Sequence, residues 1–356
     1  MTPVLSKLIP ILGVLVLIAA VVLPMSPLMA GICLLTLMGT VVCAVHHAEV
    51  VAHRVGEPFG TLVLALAVTI IEVALIVSIM LSGGPETAAV PRDTVFSAIM
   101  IICNGLIGLC LLIGGVRHHQ QSFNIGGANA ALATLIALTT LSLVLPSFTT
   151  SSAGLTYSTS QLSFAAIASL VLWGTFVFVQ TIRHRDYFLP VSGTADENVH
   201  AAPPTNRLAW VSFGFLLIGL TVVVGLAKML SPSIEAAVVS VGAPQATIGV
   251  LIAVLVLLPE TWAAVRAAMA NRLQTSLNLA LGSALASIGL TIPAVALTSL
   301  LLGTPLELGL QAKDLVLLTL TFLVTSITLV TGRTSVMQGA IHIVIFAAFL
   351  FLTLIP

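Results

Sequence analysis

Charge is nearly missing from this 356-residue sequence: Asp, Glu, Lys and Arg together make up 7%, against roughly 25% in an average soluble protein. A water-soluble fold of this size could not cover its outside with so few charges, so lipid must be the outer solvent. Net charge is missing too, with twelve basic against twelve acidic residues, which argues against nucleic acid or any other polyanion as a partner. Cysteine is scarce, and Cys33, Cys43, Cys103 and Cys110 all fall inside apolar runs with no C-x-x-C spacing. They read as structural thiols, not as disulfides or a zinc knuckle. No gap between apolar runs has room for a soluble domain. The first run lacks a small-residue cleavage site followed by polar sequence, so it reads as a retained helix and not a signal peptide.

What is present is apolar, at 58% of the residues. Eleven stretches are long enough to cross about 30 Å of hydrocarbon at roughly 1.5 Å per helical residue. They cover 8–24, 28–53, 60–82, 95–116, 126–146, 161–182, 208–230, 244–266, 273–302, 314–332 and 336–355. The expected fold is an all-α polytopic membrane protein. With the N-terminus in the cytoplasm, nine basic residues (Lys7, Arg54, Arg117, Arg183, Arg185, Arg207, Arg266, Arg272 and Arg333) lie inside, and only Arg92, Lys228 and Lys313 lie outside. That positive-inside bias puts the C-terminus in the periplasm of a bacterial-type inner membrane. The longest polar stretch, 183–207, has the Pro, Gly, Asp and Asn content of a cytoplasmic linker. It separates a first five-helix unit, 28–182, from a second, 208–356, after an extra N-terminal helix within 1–27. Five helices per unit is an odd number, so two similar units enter the membrane in opposite senses, as inverted repeats.

Two carboxylates stand out against this background. Glu72 and Glu260 lie inside apolar segments that carry no other acid. A carboxylate at bilayer depth is costly unless protonated, paired or holding a cation, and is by default a functional residue. ALAVTIIE, ending at Glu72, aligns without a gap on AVLVLLPE, ending at Glu260, so the acids occupy matching places in the two units. Thr69 is three residues before Glu72 and shares its helical face. Pro259 cannot donate a backbone bond, which frees the Leu255 carbonyl beside Glu260. On the helices that follow, Asn104 and the stripe Ser283, Ser287 and Thr291 offer further oxygens. A hard cation takes six to eight such ligands. Close helix packing through small residues also explains the stripe, and an interhelical hydrogen bond also explains Asn104. For the acids, the corresponding structural reading is a protonated carboxyl bonded to a neighbouring helix.

HHAEVVAHRVGEPFGTLVLALAVTIIEVALI, from His46 to Ile76, resembles the first repeat motif of the bacterial calcium/proton (sodium/proton) antiporters of the ChaA type. These form part of the cation/proton exchanger branch of the calcium:cation antiporter superfamily. LLPETWAAVRAAMANRLQTSLNLALGSALASIGLTIPAVAL, from Leu257 to Leu297, resembles the second motif, and VTGRTSV, from Val330 to Val336, resembles a sequence near the family's C-terminus. The resemblance implies ten core helices in two inverted repeats plus an N-terminal helix. It also implies export of Ca²⁺ or Na⁺ against protons, with Glu72 and Glu260 binding both ions. Much of the superfamily has Asn three positions before each acid, where this chain has Thr69 and Leu257. The linker, often strongly acidic in this branch, carries only Asp186, Asp196 and Glu197.

His46, Glu49 and His53 share one helical face at the cytoplasmic end, with Glu57 close by in sequence. Such a face could bind zinc, and an intramembrane metalloenzyme is the rival class. The H-E-x-x-H order is absent, however. A vestibule that senses pH through these residues fits imidazole chemistry better, beside plain interfacial solvation. The function expected is therefore secondary antiport of Ca²⁺ against H⁺, with Na⁺ or K⁺ as alternative cargo. No cofactor is expected, and membrane lipid and the transported cations are the expected partners.

Overall fold

The computed structural model describes residues 4–56, 59–189 and 204–355. Among the described residues, eleven helices are long and apolar enough to cross a membrane: α1 (Leu5–Val22), α2 (Pro27–Val55), α3 (Phe59–Gly83), α4 (Val90–His118), α5 (Ile125–Ser147) and α6 (Thr159–Arg183), then α7 (Asn206–Ser240), α8 (Ala246–Met269), α9 (Leu273–Leu302), α10 (Ala312–Val330) and α11 (Val336–Leu354). Local chemistry sets several ends. Ser26 accepts from Met29 N at 3.2 Å ahead of Pro27, and capping boxes open α6 (Ser158, Gln161) and α11 (Ser335, Gln338). Gly303 closes α9 in the left-handed region, at φ 67°. Large apolar side chains such as Leu15, Leu35, Leu301 and Val344 point outward, which is the surface lipid requires.

The sequence expects α7 to end near Leu230, but the helix continues to Ser240 through Pro232. A proline costs only the bond to the carbonyl four residues back, here that of Lys228. Leu230 and Val238, both buried on the same helix, favour continuing it. Three π-helical turns, invisible to apolar periodicity, interrupt α4 at Ile101–Leu106, α5 at Thr140–Val144 and α6 at Val179–Arg183.

The packing follows an inverted two-fold plan. The pair α4–α8 has a counterpart in α9–α3, and α4–α11 has one in α9–α6, while α2 and α7 run along each other with α1 beside them. One pair of mates differs. Helix α3 packs closely along α7, whereas α2 and α8 diverge. On the face that carries the linker, β1 (Gln121–Ser122) pairs antiparallel with β2 (Arg333–Thr334), joining the α4–α5 and α10–α11 turns. Gln121 Nε2 also donates to Ala268 O and Asn271 Oδ1, both at 3.0 Å.

On the opposite face, the α9–α10 connection crosses the bundle as a strap. Glu307 N donates to Ala88 O at 3.0 Å, Gly309 N to Leu155 O at 2.9 Å and Leu310 N to Leu143 O at 3.0 Å. The buried Arg92 donates to Gly309 O at 3.2 Å and to Asp93 at 2.8 Å.

Candidate functional site: a carboxylate-lined cavity

A cavity of about 140 Å³ lies between α3, α6, α8 and α9, and both Glu72 and Glu260 line it. The inverted packing brings this about, because each acid sits on the second helix of its unit and those helices meet the partner unit's third helix. Glu72 is 3% exposed. Ser287 Oγ lies 2.6 Å from its Oε1 and 2.8 Å from its Oε2, so the one hydroxyl proton can be given to either oxygen. Glu260 is less enclosed, and its Oε2 is buried without a hydrogen-bond partner among the described residues. A buried acceptor left unpaired costs about 1–3 kcal/mol, more if charged, which a proton or a cation on that oxygen would remove.

Thr69, Ser283 and Leu257 line the same cavity. Hydroxyls therefore surround the acids on α3 and α9, and an apolar side chain stands at one of the two positions where the superfamily carries an amide. Two amides the sequence reading did not single out, Gln180 of α6 and Asn278 of α9, line the cavity toward the linker face. Gln180 had a signal, as a lone amide in an apolar span, and it sits in the π-helical turn of α6.

The Leu255 carbonyl and Asn104 are not among the cavity-lining groups. Asn104, fully buried, donates through Nδ2 to Thr321 Oγ1 at 2.9 Å. Its Oδ1 lies 3.2 Å from His342 Nδ1, and His342 Nε2 lies 3.1 Å from Thr328 Oγ1. This network ties α4 to α10 and α11, as an interhelical hydrogen bond at Asn104 would. Asn104→Ala should then lower stability by about 1–3 kcal/mol, since it leaves His342 and Thr321 short of partners in a dry interior. The midpoint of thermal unfolding in detergent should fall while apparent KM for the cation stays put. A raised KM at unchanged midpoint would return Asn104 to the ion site.

A second, wider cavity of about 770 Å³ opens where α2 and α8 diverge, on the linker side of Glu260. His46 and Glu49 line it from α2, facing Pro259, Trp262 and Arg266 of α8. His53 is exposed and not among its lining residues, and Glu57 lies outside the described residues. Among the described residues no group of three or more His, Cys, Asp or Glu could hold a metal ion. The zinc reading of the His46, Glu49 and His53 face therefore has no cluster behind it there.

The chain matches the family model described as sodium/calcium exchanger protein over residues 25–182 and 211–355. It is 52% identical over 320 residues to a Sinorhizobium fredii protein, the unconfirmed ionic transporter y4hA, covering 90% of this chain and 87% of that one. It is 36% identical over 351 residues to the sodium-potassium/proton antiporter ChaA of Escherichia coli, covering 97% and 94%. Among solved structures, native YfkE superposes with a TM-score of 0.75 at 17% identity, covering 99% of this chain and 100% of that one. The family match over both halves and the 36% identity along nearly the whole length identify the chain as a member of the sodium/calcium exchanger protein family, in the ChaA-like part of the calcium:cation antiporter superfamily.

Proposed function

We propose that this cation exchanger is a Ca²⁺/H⁺ antiporter in which Glu72 and Glu260 bind the cation and the proton in turn. The observation that carries the reading is the meeting of both acids on one cavity, one bonded to Ser287 and the other with an oxygen unpartnered among the described residues. Two carboxylates with the hydroxyls of Thr69, Ser283 and Ser287 offer a hard cation an oxygen shell that water can complete. When protons occupy the acids the cation must leave, so mutual exclusion couples the two flows. Alternating access supplies the rest: the α2–α8 gap exposes the neighbourhood of Glu260 on the linker side, while the strap crosses the opposite face.

A second reading, monovalent Na⁺/H⁺ or K⁺/H⁺ exchange, is favoured by two observations. The Escherichia coli relative is named for sodium, potassium and protons. Thr69 and Leu257 stand where the superfamily's two amides would raise the coordination number. Proton movement in everted vesicles, with Ca²⁺, Na⁺ and K⁺ added in turn, separates the two. A response to Ca²⁺ at concentrations where Na⁺ and K⁺ are silent supports the first, and the reverse supports the second.

The unit boundaries follow from the same reading: an N-terminal helix in 1–27, repeats at 28–182 and 208–356, and a linker at 183–207. The linker should be cytoplasmic, and the C-terminus should face the periplasm across the inner membrane. On a cysteine-free background, an impermeant thiol reagent applied to intact cells should label a cysteine at Pro356 and spare one at Asn198. The opposite pattern inverts the topology.

A further inference from the structure

The α2–α8 vestibule leads toward Glu260, and the cavity that both acids share has a second approach. The 140 Å³ cavity runs from Glu72 and Ser287 toward the linker face, where Gln180 and Asn278 line it. Asn278 precedes Ser287 by nine residues on α9, a rise of about 13 Å. Its walls between those ends are largely apolar, with Val68, Val177, Leu257 and Leu279 among them, and Glu72 and Glu260 are the titratable groups that line it. Against the same amides lies a narrow neck with no room for a water-sized sphere, lined by Phe176, Gln180, Phe188, Asn278 and Gly282 among others.

The stopper in that neck comes from the start of the inter-repeat connection. Residues Arg185–Phe188 form a single helical turn directly after α6. Phe188 is 8% exposed, although the residues on both sides of it are exposed. Its ring meets Phe176 edge-on, with centroids 5.8 Å apart. Asn278 Nδ2 donates to Phe188 O at 2.6 Å, and Gln274 Nε2 holds the Asn278 Oδ1 at 2.9 Å. Helix α5 makes room for the turn: a Cβ on Gly127 would stand 2.4 Å from the Tyr187 carbonyl oxygen. An amide of the cavity wall is thus bonded to the backbone of the connecting segment that closes it.

We propose that this neck is a gated entrance through which water and protons reach the cavity and Glu72, separate from the α2–α8 vestibule, with Phe188 as its gate. The proposal rests on the reading of Glu72 as a proton-binding acid. The chemistry of the lining selects the traveller. An apolar tube with one pair of amides strips a hydrated divalent ion of water without replacing it, whereas a short file of water can pass a proton. With Phe188 withdrawn, water enters, a hydronium gives its proton to a Glu72 oxygen, and a neutral water remains. The wide vestibule, with Glu49 in its wall, suits the hydrated cation.

Gly282 supplies the probe, because it lines both the cavity and the neck and nothing lies within 4 Å of the place its Cβ would take. In purified, reconstituted protein free of other cysteines, Gly282→Cys should react slowly with a charged thiosulfonate applied from the linker face. Adding Phe188→Ala should speed that reaction by about tenfold or more, and Asn278→Ala, which only unfastens the gate, should speed it less. Gly282→Leu, which fills the cavity where the acids meet, should cut turnover by about tenfold. Equal labelling with and without Phe188, in variants that elute as folded protein, would overturn the gate. Wild-type turnover in Gly282→Leu would overturn the route. The labelling does not depend on transport, so exchange that survives in Glu72→Gln would defeat the underlying reading while leaving the gate standing.

Discussion

Glu72→Gln and Glu260→Gln should each abolish cation/proton exchange at every pH, while the protein still inserts and folds. Glutamine keeps the shape of the side chain and can still accept from Ser287, so the cavity survives. It removes the charge and the titration, and with them the step in which, in the proposed mechanism, proton and cation exclude each other. Aspartate at either position should keep some exchange with weaker cation affinity, since the charge remains but reaches one methylene less. The same mechanism requires competition. Lowering the pH should raise the apparent KM for the cation and leave the maximal rate at saturating cation less affected, because protons occupy the same oxygens. Counterflow in proteoliposomes measures both quantities. Cation-driven proton flux persisting in a purified Glu72→Gln, Glu260→Gln double variant would remove these residues from the mechanism.

Much of this was legible in the sequence, for physical reasons that differ by element. The eleven spans could be read because lipid demands long unbroken apolar runs, and ten of them have ends within a few residues of expectation. The exception, α7, shows the limit: Lys228 and Pro232 are local stop signals, and burial of Leu230 and Val238 overrides them. The candidate cavity was legible where cost marked it. A carboxylate at bilayer depth is expensive, so Glu72 and Glu260 stood out, and the serine stripe on α9 pointed to the side chain that meets Glu72. Asn104 carried the same kind of mark, but polarity alone does not say which neighbour satisfies it. Its partners Thr321 and His342 lie 217 and 238 residues away. Gln180 and the Phe188 stopper had weaker marks still. Their placement depends on π-helical turns and on a short turn outside the membrane spans, and neither leaves an apolar period to read.

Gly339→Val should prevent accumulation of folded protein. Helices α4 and α11 cross at two glycines. A Cβ on Gly339 would come within 2.4 Å of Leu112 N, 2.8 Å of Leu112 Cα and 2.9 Å of Gly108 O, all of them backbone atoms. A Cβ on Gly108 would in turn meet His342 Cβ at 2.8 Å. Backbone cannot rotate away as a flexible side chain can, so any β-carbon at Gly339 must push the helices apart. Without a hydrophobic force between helices in lipid, close approach of this kind is what holds them together. Overpacking alone costs about 1–3 kcal/mol in a well-packed interior. Here separation also stretches the bonds from His342 to Asn104 and Thr328, which lie one turn along the same contact. Gly339→Ala should therefore show a clearly lowered unfolding midpoint, and Gly339→Val little monodisperse protein. Gly31→Ala, on α2 where nothing lies within 4 Å of the new carbon, should be indistinguishable from wild type. Thermal unfolding in detergent, followed by size-exclusion recovery, reads all three. A Gly339→Val variant with a wild-type midpoint would mean that α11 is not held against α4 by backbone contact, and that the Asn104 and His342 network fastens that seam by itself.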